Sequence, residues 1–421
     1  MVTDATPVAV AAAVVDLARA GRFDAVEQMF SPELRAVVSA EALRIGWTGE
    51  LSRIGPICVV EHPVVERSAG GLARVSVPLR GERGGLTVMM SVDEVGALHG
   101  LRLAAPSPVP WRAPDYADSV RFSEREVTLG SGAHAVPGTL TLPRDRGRHP
   151  GVVLLSGGGP FDRDATSGVN KPFKDLAWGL ASRGVAVVRF DKVTFVDGRV
   201  ASEPGFTATD EYVPCAIAAV RLLQRQRGVD PKRVHILGHS MGGRVAPRVA
   251  AADPSVAGLV VLAGDTSSMA RAVVRVARHI ASVSPGSIPP DAIEAIERQV
   301  ALVSGPDLSP STPAADLPFG WSVSYWLDLL HDDPVATAAG VERPMLILQG
   351  GRDYQVTVAD DLAGWRSGLA HRSDVDIRVY ESDDHMFYRG EGISTPAGYE
   401  PEQHVDPDAV ADIAEWLTRA A

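Results

Sequence analysis

The first hundred residues switch from one hydrophobic period to another. Pro7–Ala20 and Phe23–Phe30 carry apolar residues at helical spacing. Ser31-Pro32-Glu33 reads as a helix start, with a hydroxyl cap followed by proline in the first turn. The pattern then turns to strand-like runs: Cys58–Val65, Ala73–Leu79, Leu86–Val92 and Ala97–Leu103. Helices followed by strands predict a small N-terminal α+β domain over residues 1–105. The proline-rich stretch Ala104–Pro114 predicts a linker over 106–117.

Over residues 118–421 strand and helix signals alternate. Val120–Leu129 and Gly138–Leu142 read as a strand pair. Gly151–Leu155, Val185–Phe190, Val234–Leu237 and Val256–Leu262 read as strands separated by helices at Lys171–Arg183, Thr209–Arg225 and from Met241. Pro344–Leu348 and Val375–Val379 are further strands, with helices at Val358–Leu369 and Pro407–Arg419. This alternation predicts an α/β fold, a mostly parallel sheet flanked by helices. One interruption, about residues 265–341, is too long for a plain loop. Its helical stretches Met269–Ile280 and Asp291–Val303 read as a helical cap insertion. Its aromatic patch of Phe319, Trp321, Tyr325 and Trp326 is a candidate substrate-binding surface for a large apolar group, with packing of the cap onto the core as the competing account.

Composition removes several classes. A hydrophobic fraction of 45% is that of a globular protein with a core. The net charge of −11 and the lack of any Lys or Arg run argue against nucleic-acid and anionic-membrane partners. The apolar run Val8–Val15 has no basic segment before it and is flanked by Asp4 and Asp16, so it reads as an amphipathic helix and not a signal peptide. Cys58 and Cys215 are far apart, without metal-ligand spacing, and read as two buried, reduced thiols of a cytoplasmic protein. No His/Asp ligand cluster is visible, so no metal or cofactor is expected.

The chemistry lies in Val234-His235-Ile236-Leu237-Gly238-His239-Ser240-Met241-Gly242-Gly243, an apolar strand, then G-x-S-x-G, then a helix. The pentapeptide alone is a weak signal, and its strand–turn–helix context carries the weight. A sharp turn there lifts the Ser240 hydroxyl clear of the backbone, and the helix N-terminus supplies free N–H groups for a developing oxyanion. A serine needs a base, and the base an orienting acid; around such an elbow they follow in the order Ser, Asp or Glu, His. Asp353, after the strand Pro344–Leu348, and His385, after the strand ending at Val379, occupy those places. Asp265 is an alternative acid and His404 an alternative base. His239 is expected to shape the turn, and Asp383 and Asp384 read as a solvated acidic loop. The oxyanion hole is expected from the amides of Met241 and of Gly158, in Ser156-Gly157-Gly158-Gly159-Pro160, with Gly159 close behind. Pro247 should kink or distort the helix after the nucleophile.

Gly157–Asp164, Arg189-Phe190-Asp191-Lys192, Gly238–Gly243, Gly350–Asp353 and Asp384-His385 together resemble the α/β-hydrolase superfamily, in particular the serine hydrolases grouped with dienelactone-hydrolase-like and S33-peptidase-like esterases. The resemblance covers residues from about 118 to 421, and residues 1–105 are similar to a small domain that precedes such hydrolases in some bacterial proteins. It implies an α/β-hydrolase fold and a small-molecule acyl substrate. Val193-Thr194-Phe195 departs from relatives that carry Arg-Gly after the Asp-Lys pair, which puts the pocket wall in doubt. The resulting expectation is a serine esterase acting through an acyl-enzyme on Ser240. Thioesterase, acyltransferase or macrocyclase, and peptidase activity would use the same triad. A non-catalytic binding protein that retains the fold is the alternative of another class. The N-terminal domain is a candidate for homodimerisation or for covering the pocket entrance.

Overall fold

Thr6 and Pro7 start the chain's first helix in the way their chemistry favours: Ala9 N–H donates to Thr6 Oγ1 at 3.3 Å, and proline fills the first turn, where its missing N–H costs nothing. The computed structural model describes residues 6–67, 72–104, 111–285 and 288–419. The chain divides into two units, Met1–Trp111 and Arg112–Ala421. Of the expected linker, residues 106–110 lie outside the described residues.

In the first unit α1 (Pro7–Arg19) buries Val10, Ala11, Val14, Val15 and Ala18, one stripe of the helix. It is followed by α2 (Phe23–Glu27), α3 (Pro32–Val37) and α4 (Ala40–Ile54). Ser31 caps α3, and Ser39 caps α4, each by accepting a backbone N–H at 3.2 Å. The periodicity reading missed α4, because Gly46 and Gly49 interrupt it; the signal was Leu43, Trp47 and Ile54 on one face. The sheet contains β1 (Ile57–Val60), β2 (Val64–Arg67), β3 (Ala73–Gly81), β4 (Gly84–Val92) and β5 (Leu98–Ala104). β3, β4 and β5 form a meander, and β1 and β2 both pair with β3. The single run expected over Cys58–Val65 is thus two strands, broken at Pro63, which has no N–H for the ladder. Cys58 is exposed and only Cys215 is buried, which corrects the expectation of two buried thiols.

The second unit holds an eight-stranded sheet: β6 (Phe122–Leu129), β7 (Val136–Pro143), β8 (His149–Leu155), β9 (Ala186–Phe190), β10 (Val229–His239), β11 (Leu259–Leu262), β12 (Met345–Gly350) and β13 (Val375–Tyr380). Its order is β6-β7-β9-β8-β10-β11-β12-β13, antiparallel through β6, β7 and β9 and parallel from β9 to β13. Every residue of β8, β9 and β12 is buried, so these strands read as largely apolar runs, interrupted only by the buried His149, Arg189 and Gln349. Their side chains alternate between two cores. Val153 and Leu155 face one core, with Tyr212, Val220 and Val245 from α7 (Ala208–Gln224) and α8 (Met241–Ala252). Val152 and Leu154 face the other, with Leu176 and Ile413 from α5 (Pro172–Ala181) and α14 (Pro407–Arg419). The short α6 (Val193–Val196) follows β9. α8 continues through Pro247 without a break. Among the described residues no helix is long and apolar enough to cross a membrane.

The segment between β11 and β12 forms α9 (Met269–Val283), α10 (Pro290–Ser304), α11 (Val323–Leu330) and α12 (Pro334–Gly340). Charged groups fasten it down. Arg244 and Arg248 of α8 pair with Asp332 at 2.9 and 2.7 Å, and Arg248 also pairs with Asp328 at 2.8 Å. Arg275 of α9 pairs at 2.9 Å with the buried Asp361, in the π-turn Val358–Leu362 that leads into α13 (Ala363–Gly368). Removing one partner of such a buried pair strands the other charge, at about 3–5 kcal/mol.

His235, inside β10, is fully buried edge-on against Trp416. Its Nδ1–H donates to Gly151 O at 3.3 Å, and Nε2 has no partner among the described residues. Burial pushes its pKa down from 6.5 to about 4. Above pH 6.5 the ring is neutral folded or unfolded; as pH falls from 6.5 toward about 4 the unfolded chain takes a proton that the native state refuses, and stability is lost. Between pH 7 and 5 the wild type should therefore lose about 2 kcal/mol more than His235→Phe in urea unfolding. Equal losses would mean that the ring protonates in place.

Candidate active site

The residues singled out in the sequence follow the C-terminal ends of the parallel strands, where open α/β sheets form their sites: Gly158 after β8, Ser240 after β10, Asp353 after β12 and His385 after β13. Ser240 caps α8 at φ 55°, ψ −126°, a left-handed conformation that costs a non-glycine residue about 1–2 kcal/mol. The turn is tight because two glycines let the backbone cross itself. A Cβ on Gly238 would fall 2.1 Å from Gly242 O, and one on Gly242 would fall 2.3 Å from Leu155 O. Ser240 N–H donates to Leu262 O at 2.9 Å, which ties the elbow to β11. Met241, behind it, begins α8, so its N–H has no intrahelical acceptor.

Asp353 and His385 are brought together. His385 Nδ1–H donates to Asp353 Oδ2 at 2.7 Å, and both side chains are buried. The carboxylate is itself held: Oδ2 accepts from Gln349 Nε2 at 3.1 Å, and Oδ1 from the N–H groups of Gln355 and Val356 at 2.8 and 2.9 Å. The loops that carry the pair touch through Gly350, where a Cβ would lie 2.4 Å from Asp384 O. Arg352 fastens them by donating to Ser382 O at 3.2 Å and Gly392 O at 2.9 Å. Burial lowers the His385 pKa, but the Asp353 carboxylate and its hydrogen bond outweigh it, so the net shift is upward from 6.5.

His239 stands between the elbow and this pair. Its Nε2–H donates to His385 O at 2.8 Å, and the two rings lie 4.7 Å apart. Burial, helped by His385, lowers its pKa to about 3, so it stays neutral. The structure connects Ser240 to His385 through this neighbour; among the described residues the Ser240 hydroxyl makes no hydrogen bond. The alternatives are engaged elsewhere. Asp265 Oδ2 is bound to Arg244 at 3.0 Å, and His404 Nδ1 to the buried Asp175 at 3.1 Å.

Two expectations are corrected. Asp383 and Asp384 are buried, not a solvated loop. Asp384 accepts the N–H groups of Met386 and Tyr388 at 2.9 and 3.1 Å, and burial with Asp406 alongside raises Asp383 to about 7. Tyr325 and Trp326 offer no surface to a substrate. Tyr325 is buried with its hydroxyl bonded to Glu211, and Trp326 is buried with Nε1–H donating to Pro318 O at 3.2 Å. Trp321 and Phe319 differ: a Cβ on Gly158 would lie 4.0 Å from Trp321 Cη2, and Phe319, its ring tilted 46° against Trp321 with centroids 4.8 Å apart, is 62% exposed.

Sequence reasoning assigned no role to Lys192, Glu211 or Tyr212, which pack buried behind the Gly157–Gly159 loop. The signal available was one of only four lysines, two residues beyond the strand that ends at Phe190. The Asp162–Asp164 and Arg189–Asp191 motifs bind each other: Arg163 pairs with Asp191 at 3.0 Å and Arg189 with Asp164 at 2.8 Å, which makes them scaffolding for that loop. Among the described residues no group of three or more His, Cys, Asp or Glu side chains could hold a metal ion.

A family model described as "Alpha/beta hydrolase family" matches residues 152–399. The chain is 29% identical over 405 residues to Esterase EstD of Thermotoga maritima, covering 94% of this chain and 92% of that protein. Among solved structures it is similar to an esterase of Pyrococcus furiosus (17% identity, 72% of this chain and 92% of that one, TM-score 0.45). It is also similar to Est1E of Butyrivibrio proteoclasticus (14% identity, 70% and 98%, TM-score 0.45).

Proposed function

Because this chain belongs to the α/β-hydrolase family, we propose that it is a serine esterase with Ser240 as nucleophile, His385 as base and Asp353 as the orienting acid. The observation that carries this reading is the buried 2.7 Å Asp353–His385 hydrogen bond, on loops packed against the strained Ser240 elbow. With Nδ1–H committed to Asp353, the neutral His385 ring keeps Nε2 free to accept a proton. Ser240 attacks an ester carbonyl as its proton passes to His385. The proton is then delivered to the leaving alcohol, and water cleaves the acyl-enzyme. The amides of Met241 and Gly158 receive the oxyanion. The helices inserted between β11 and β12 act as a cap, and Trp321 and Phe319 are its substrate-facing residues. The ester assignment is supported by the likeness to Esterase EstD across nearly the whole chain. Its test is turnover of a graded series of acyl esters, thioesters and anilides. Faster cleavage of thioesters or anilides than of esters would reject it.

The mechanism fixes a pH dependence. His385 must be neutral to take the proton, and its pKa lies above 6.5. The kcat/KM profile should therefore fall on the acid side with a midpoint above pH 6.5. A midpoint well below that would exclude an Asp353-paired histidine as the base.

A further inference from the structure

Lys192 follows β9 and is buried, with its ammonium against the loop after β8. Its Nζ donates to Gly157 O at 2.9 Å and to the Tyr212 hydroxyl at 2.7 Å, and lies 3.2 Å from Glu211 Oε1. The Tyr212 hydroxyl in turn donates to the same Gly157 O at 2.7 Å. Glu211 also accepts from the hydroxyls of Thr194 and Tyr325. Two donors, one cationic, therefore converge on a single carbonyl of a three-glycine loop. Burial pulls the Lys192 pKa down while Glu211 pulls it back, with a net lowering.

The peptide plane gives this convergence its meaning. Gly157 C=O and Gly158 N–H belong to one planar, trans peptide unit and point in opposite directions. With both carbonyl lone pairs engaged, the plane cannot turn, although glycine would otherwise let it. The N–H is then held facing away from Lys192. The loop lies on the elbow: a Cβ on Gly157 would be 3.2 Å from Ser240 Cβ and 3.5 Å from its Oγ. A carbonyl that accepts from a cation and a hydroxyl also polarises its own amide, which strengthens the N–H as a donor.

We infer that Lys192 and Tyr212 are positioning residues of the oxyanion hole, which lock and polarise the Gly157–Gly158 peptide so that the Gly158 N–H is presented to the oxyanion. This rests on the reading of Ser240 as the nucleophile. It also selects Gly158 over Gly159 as the loop's donor.

The test uses the full chain with a p-nitrophenyl ester, a trifluoromethyl ketone as tetrahedral mimic and a planar product carboxylate as competitive inhibitor. Tyr212→Phe keeps the ring and removes one donor. Lys192→Met combined with Glu211→Gln removes both charges together. The expected result is a fall in kcat of about tenfold for the first and about a hundredfold for the second, with KM within about twofold. Affinity for the ketone should fall in parallel and affinity for the planar inhibitor should hold. Unchanged kcat in folded variants overturns the inference, as does an equal loss for ketone and planar ligand. If the double variant does not fold, Tyr212→Phe decides alone. Should Ser240→Ala retain turnover, the nucleophile assignment fails and this one with it. Should Ser240→Ala be inactive while these variants match the wild type, only the positioning role fails.

Discussion

Ser240→Ala is expected to lower kcat by about 10⁵-fold or more, because no group is left to carry the acyl chain. The substitution is well suited to isolate chemistry from structure. Alanine at φ 55° is strained as serine is, and the side chain's methylene is kept, so the turn should hold its shape. Its melting temperature should lie close to that of the wild type. A fluorophosphonate should label the wild type once, on the peptide that contains Ser240, and leave the variant unlabelled. A variant that keeps a tenth of the activity, or a label on another residue, would move the nucleophile elsewhere.

The second large effect is expected at Asp353. Asp353→Asn replaces an acceptor with a group that can present an N–H to His385, which favours the wrong tautomer and blocks Nε2 as base. A loss of about 10⁴-fold in kcat is expected, as in other triads, with KM little changed. The carboxylate that raises the His385 pKa also disappears while the burial that lowers it remains. The acid limb of the residual activity should therefore move to lower pH. A variant with the wild-type rate would assign the orienting role to another acid; Asp384 and Asp265 are the other carboxylates whose charge reaches His385, and Asp265, which also follows a parallel strand, would be the one to substitute next.

The order of strands and helices in the second unit was legible because β8, β9 and β12 are buried on both faces and so carry largely apolar runs. The partnership of Asp353 and His385 was legible for a related reason. Each follows a strand, and neighbouring parallel strands β12 and β13 deliver their following loops side by side. Glu211 and Tyr325 were opaque because their meeting depends on how α11 seats against α7, 114 residues apart in the chain. The same ignorance made the aromatic run at Tyr325 and Trp326 look like a surface. Asp383 and Asp384 were misread because acidic pairs are ordinarily solvated, and only the folded loop shows N–H groups turned toward Asp384. In the first unit, α4 was hidden by two glycines that tertiary burial of Trp47 overrides.

The crossing of Gly238 and Gly242 under Ser240 has a consequence for how this enzyme can be altered. A methyl group at either position would strike backbone atoms at 2.1 or 2.3 Å, and backbone cannot step aside as a flexible side chain can. The elbow therefore offers no graded route of change: any side chain there dislodges Ser240, the proposed nucleophile, instead of nudging it. Diversity has to enter from elsewhere, and the inserted helices are the natural source. Their Trp321 reaches the glycine loop and Phe319 faces outward, while Asp328 and Asp332 hold the segment to α8. On the proposed function, a library built at positions 319 and 321 should change which acyl groups are accepted with the elbow left intact, whereas one built at 238 or 242 should disrupt the elbow itself.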